Sequence, residues 1–125
     1  MCILLLTPMI ALSAPSKKDK EEISAIVARS DQTLGEVIEC DRQDVRYEYV
    51  TVLRDAMSAY PGTDPTKVRA LIRQIERQAE SISRLGFKGI PSPTPEDLDF
   101  QKRVCERQIS RAERDMRTMD DFILK

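Results

Sequence analysis

The chain has no histidine and no tryptophan, and its 125 residues include only four glycines, three cysteines, three tyrosines and three phenylalanines. Each shortage removes a class of chemistry. Without imidazole there is no general base for a Ser or Cys triad of the usual kind, and no imidazole ligand for zinc. Three cysteines cannot build a four-thiolate site, and none are spaced Cys-x-x-Cys for thiol exchange. The sequence also holds no phosphate-cradling glycine loop, dinucleotide fingerprint or calcium loop. The expectation is therefore no catalytic residue, no cofactor, no metal, and a protein that is not an enzyme.

An excess of one charge is missing too. Twenty basic and 21 acidic side chains leave a net charge of -1, so no global field draws in nucleic acid. Aromatic residues are not interleaved with the basic ones, as stacking on bases requires. A nucleic-acid partner is not expected, and an electrostatic role must come from local arrangement.

Long apolar runs are absent but for one. Residues 2–12 are almost wholly apolar and end in the small residues Ser13 and Ala14, just before the charged stretch from Lys17 to Glu22. That is the layout of a cleaved leader, although no basic residue opens it and Pro8 interrupts it. It is shorter than the roughly 20 residues of a permanent membrane helix. The boundaries read as a signal peptide at 1–14 and one domain at 15–125, placing the mature protein outside the cytoplasm, secreted or periplasmic, with no stable membrane insertion.

Cysteine arithmetic agrees. With Cys2 in the leader, Cys40 and Cys105 remain as an even pair, and an oxidising compartment would join them.

The periodicity predicts an all-α fold, a small bundle of three helices or, if the first is broken, four, with one inter-helix disulfide. Apolar or small residues recur in three- and four-residue steps from Ile23 through Val27, Leu34 and Val37 to Val45, Tyr49, Val52 and Ala56, giving a first helix over 18–59. The alternative is a break among Ser30, Asp31, Gln32, Thr33 and Gly35; Asp41 on the stripe is a further weak point. Asp64 capping and Pro65 at the first turn open a second helix over 65–85, with Gly86 as its left-handed stop. Thr94, Pro95, Glu96 and Asp97 open a third over 95–122, carrying Leu98, Cys105, Ile109, Ala112, Met116, Met119 and Ile123 on one face. A third helix rising parallel to the first sets Cys105 level with Cys40 and Met119 near Arg54, with a core of Ile, Leu, Val and Met. Residues 17–29 then project past the bundle, and either fold back as a fourth helix or dock on another chain as a homo-oligomer contact through Ile23, Ile26 and Val27.

The candidate partner surfaces follow from this layout. Arg103, Arg107, Arg111, Arg114 and Arg117 gather on the side of the last helix opposite its apolar stripe, and Arg69, Arg73, Arg77 and Arg84 do the same on the helix before it. Guanidinium forks bind carboxylates and phosphates. Interleaved Glu76, Glu80, Glu106, Glu113 and Asp115, with pairs such as Glu113 and Arg117, also fit a solvated face. Glu36, Glu39, Asp41 and Asp44 read as acidic surface. Tyr47, Val50, Arg54 and Met57 fall off the main stripe and either widen the apolar face that meets two neighbouring helices or, being of types that anchor interfaces, bind a partner; Phe87, Ile90 and Phe100 form another patch or cap the open end of the bundle. The functional expectation is an exported helical protein-binding module whose partner is another protein, with a structural subunit of an assembly as the first alternative and a small exported enzyme, disfavoured by the missing chemistry, as the second.

Overall fold

The structure, a computed structural model, describes residues 15–86 and 92–125, and within them the chain is an all-α bundle of four helices. These are α1 (Lys17–Glu39), α2 (Gln43–Ala59), α3 (Pro65–Ser83) and α4 (Pro95–Ile123). Cys40 and Cys105 are bonded, their Cα atoms 5.6 Å apart. The proposed leader at 1–14 lies outside the described residues.

The single helix over 18–59 does not exist, and the break is not at Ser30–Gly35. That stretch stays helical because its small and polar residues face inward: Ser30, Thr33 and Gly35 are buried. The Ser30 hydroxyl donates to the Val27 carbonyl at 2.7 Å, so it enters the core satisfied. The helix stops at Cys40 instead. Asp41 follows with φ 57°, the left-handed residue that commonly ends a helix, in which Asp is among the better tolerated non-glycine types. The apolar period runs on across the break because α1 and α2 bury faces in the same core.

That reversal changes the directions. Three links, Asp19 with Lys125, Arg29 with Asp115 and Cys40 with Cys105, pair rising numbers on α1 with falling numbers on α4, so the two helices are antiparallel. The parallel relation expected of the first and last helices holds for α2 alone, whose C-cap Tyr60 lies 6.2 Å ring to ring from Phe122. Residues 17–29 take the fold-back option. Ile23 and Ile26 are core residues, 1 % and 2 % exposed, and Val27 packs against them. What projects is the other end: Cys105 is level with the end of α1, so the ten residues of α4 before it reach about 15 Å past the α1–α2 turn. None of them is buried. Leu98, expected on the inner face, is 53 % exposed for this reason.

Local signals at the other ends fold as read. Asp64 accepts from the Thr66 amide at 2.8 Å, and Thr94 forms a capping box with Asp97. Pro61 and Gly62, with Gly62 at φ 79°, turn the chain between α2 and α3. Gly86 is a correction, since its φ is not positive. The end of α3 closes through tight bonds from the Leu85 and Gly86 amides to Ile82 and Ser83, and Gly86 lies where a Cβ would meet the Glu39 carboxylate.

α1 packs most extensively on α3, and then on α4 and α2; α2 packs on α4 and more lightly on α3. α3 and α4 therefore occupy opposite corners. The core holds the expected Ile, Leu, Val and Met, but also Tyr49 and Phe122 and, at 0 % exposure, Ala56, Ala79 and Ala112. Small residues are needed where α1 meets α3. A Cβ on Gly35 would lie 2.8 Å from Ile82 Cγ2 and 3.0 Å from the Ala79 carbonyl oxygen. Gly35→Ala gains about 1 kcal/mol of helix propensity but incurs roughly 1–3 kcal/mol of overpacking against backbone. The expected outcome is a net loss of about 1 kcal/mol and a lower thermal midpoint; a rise in that midpoint would show that α3 yields freely.

Candidate functional site

The 29-residue α4 has a buried face that begins only at Ile109 and an exposed face along its whole length. Ile109, Ala112, Met116, Met119 and Phe122 are buried against α1 and α2. The opposite face carries Phe100, Arg103, Arg107, Ser110, Arg114 and Arg117, all exposed, which line an open trough together with Arg111 and the carboxylates Glu106 and Glu113. Their spacing alternates three and four residues, so they form a row nearly parallel to the helix axis.

The five arginines are not equivalent. Arg103 pairs with Asp99 at 2.8 Å and Arg111 leans toward α1, 3.7 Å from the half-buried Glu36. Arg107, Arg114 and Arg117 have no carboxylate partner among the described residues; the expected Glu113–Arg117 pair is not formed. Neighbouring arginines stand three or four residues apart at 103/107, 107/111, 111/114 and 114/117. Each such like-charge pair costs about 0.2–0.5 kcal/mol, screened by salt and offset in part by opposite-charge neighbours such as Asp99 beside Arg103.

The arginines of α3 make a separate surface at the opposite corner. Arg69, Arg73, Arg77 and Arg84 are exposed, and Glu80 beside them is taken by Arg46 of α2 at 3.0 Å. Among the described residues no continuous basic face joins the two helices.

The remaining candidates are divided by burial. Tyr47 is 70 % exposed and available to a partner. Met57, Ile23 and Ile26 are buried, and Val27 and Val50 pack against the core, because α1 folds onto α2 and covers the face that a lone helix would have shown. Ile23, Val27 and Met57 do meet, with Ser24, Ala28, Tyr60 and Thr63, along a shallow apolar groove between α1 and α2. Phe100 stays exposed on the overhang; Phe87 and Ile90 lie outside the described residues.

One polar cluster has no counterpart in the sequence reading. Asp115, which interleaves the arginines in sequence, is turned inward and 5 % exposed, and Arg29 grips it with two bonds of 2.7 and 3.3 Å. Tyr49 is fully buried nearby with its hydroxyl unpaired. Burial pushes the Tyr49 phenol well above its ordinary pKa, and the Asp115 carboxylate pushes it further; the Thr33 hydroxyl favours the ionised form without reaching good hydrogen-bonding geometry. The signal for this cluster is spatial. Arg29 and Asp115 are 86 residues apart, and only the antiparallel register brings them together.

The open end of the bundle is clasped by charge. Lys125 binds Asp19 at 2.9 Å, and Asp19 also accepts from the Ser16 amide. The Lys125 ammonium, followed by the Ser16 amide and hydroxyl, lowers the Asp19 carboxyl from 3.8 to about 2. A carboxyl depressed in the folded state lends stability above its unfolded pKa and withdraws it as the pH falls through the folded one. The clasp should act fully above about pH 4 and be gone below about pH 2. Asp19→Asn is expected to flatten the pH dependence of unfolding in that window. A variant with the wild-type profile there would show that the clasp adds nothing.

Among the described residues no group of three or more His, Cys, Asp or Glu side chains could hold a metal ion, and no helix is long and apolar enough to cross a membrane. Compared with protein-family models, with curated proteins and with solved structures, the chain matches none.

Proposed function

We propose that this chain is an exported helical module that binds another protein through the outer face of α4. The observation that carries the reading is the trio Arg107, Arg114 and Arg117, left without carboxylate partners among the described residues although Glu106 and Glu113 stand beside them. Guanidinium groups without an ion-pair partner, set in one row, are complementary to a ligand of opposite sign. The Cys40–Cys105 disulfide supports export, since such bonds persist in oxidising compartments. It also holds the part of α4 that displays Arg103 and Arg107, so less ordering is needed on binding. The assembly alternative rested on an unpacked segment at 17–29, and that segment is packed.

Photoreactive side chains at position 114 on α4 and position 73 on α3 test the reading in intact producing cells. The expected result is a discrete protein adduct from position 114 alone, formed by a chain recovered outside the cytoplasm and lacking residues 1–14 by mass. Equal labelling from both corners, or retention of the full chain in the cytoplasm, would overturn it.

A further inference from the structure

The charges flanking the α4 row say what kind of protein surface fits it. From Phe100 to Arg117 the row is about 25 Å long at the helical rise, and its three-four spacing is that of a seam along which a second helix lies. A ligand on this seam meets guanidinium groups along its middle. On the flank toward α2 it meets Glu106 and Glu113, one heptad apart; Arg42 at the start of α2 feels the Glu113 charge. Toward α1 it meets Arg111, partly held by Glu36. A uniform polyanion, such as a sulphated glycan, would set negative charge against both glutamates. A helix with an acidic row and a basic group over each glutamate leaves no like charges opposed.

We propose that the ligand of the α4 face is an acidic, amphipathic helix of another protein, with carboxylates facing Arg107, Arg114 and Arg117 and a cationic side chain facing each of Glu106 and Glu113. This rests on the reading of the α4 face as a protein-binding surface and adds the chemistry of the partner. Phe100 at the overhanging end, 53 % exposed, supplies an apolar stop for one end of the seam.

The test uses the disulfide-intact chain and two probes: a synthetic helix of about 20 residues with glutamates at three-four spacing and two lysines one heptad apart on one flank, and a heparin-type oligosaccharide of similar length. Wild-type protein should bind the peptide, and more tightly at low salt. Arg107→Glu, Arg114→Glu and Arg117→Glu together should weaken that binding by about tenfold or more, whereas the same reversals at Arg69, Arg73 and Arg77 on α3 leave it unchanged. Glu106→Lys with Glu113→Lys is the deciding variant. It should weaken the peptide severalfold and tighten the oligosaccharide, with unchanged helical signal by circular dichroism confirming the fold. No peptide binding by the wild type, tighter peptide binding by the double-lysine variant, or displacement of the peptide by the oligosaccharide at equal concentration would overturn the proposal. A protein adduct from position 114 combined with any of these results would retire the acidic-helix chemistry alone; absence of that adduct removes the protein-binding surface itself.

Discussion

Replacing Cys40 and Cys105 together with serine should lower the unfolding free energy by about 4 kcal/mol and fray the first half of α4 while the rest of the bundle stays folded. The magnitude comes from the sequence separation of 65 between the two cysteines, whose closure restricts the unfolded chain. Against a net stability of about 5–15 kcal/mol for a domain, that is a large share. The fraying comes from the packing. No residue of α4 before Ile109 is buried, so the disulfide is the chief tie between the first half of that helix and the rest. Urea titrations of the oxidised protein and the double-serine variant measure the first effect, and amide exchange at 95–108 against 109–123 measures the second. Uniform protection along α4 without the disulfide would show that the overhang is held by something else. The same variant should bind less well at Arg103 and Arg107 than at Arg114 and Arg117, because only the first two sit on the part that loosens.

Legibility followed the range over which each signal acts. Caps and turns are short-range, and Asp64, Pro65, Thr94, Pro95 and the Pro61–Gly62 turn were read from neighbouring residues alone. The disulfide was legible by arithmetic. The break after Cys40 was legible only as a weak point at Asp41, because Asp is an uncommon left-handed stop and the apolar stripe continues beyond it. Ser30 and Gly35 pointed the wrong way for a physical reason. Polar and small residues weaken an isolated helix, yet inside a bundle they are what a close crossing such as that of α1 with α3 demands. From the unbroken first helix came its parallel direction to the last, and from that the exposure assigned to Ile23 and Ile26. The arginine face of α4 survived the error, since a face opposite a correctly read apolar stripe does not depend on which neighbour covers that stripe.

Breaking the Arg29–Asp115 pair from its two sides should have unequal effects. Arg29→Ala strands a carboxylate that is 5 % exposed, whereas Asp115→Ala frees an arginine whose side chain, 48 % exposed, needs only to turn into water. Removing one partner of a buried pair costs roughly 3–5 kcal/mol when the other stays buried and charged. Because Arg29 lies at the rim and its loss admits some solvent, about 3 kcal/mol is expected for Arg29→Ala. For Asp115→Ala, the lost charge-assisted bonds account for about 1–2 kcal/mol. Arg29→Lys keeps the charge but cannot reproduce the two-pronged grip, so it should fall between wild type and Arg29→Ala. The double variant decides the mechanism: with no carboxylate left to strand, Arg29→Ala adds little to Asp115→Ala, and the two single effects fail to sum. Urea midpoints for the wild type and the four variants at neutral pH measure this. Strict additivity, or a larger loss for Asp115→Ala than for Arg29→Ala, would mean that the contact acts through packing around Tyr49 and not through a stranded charge.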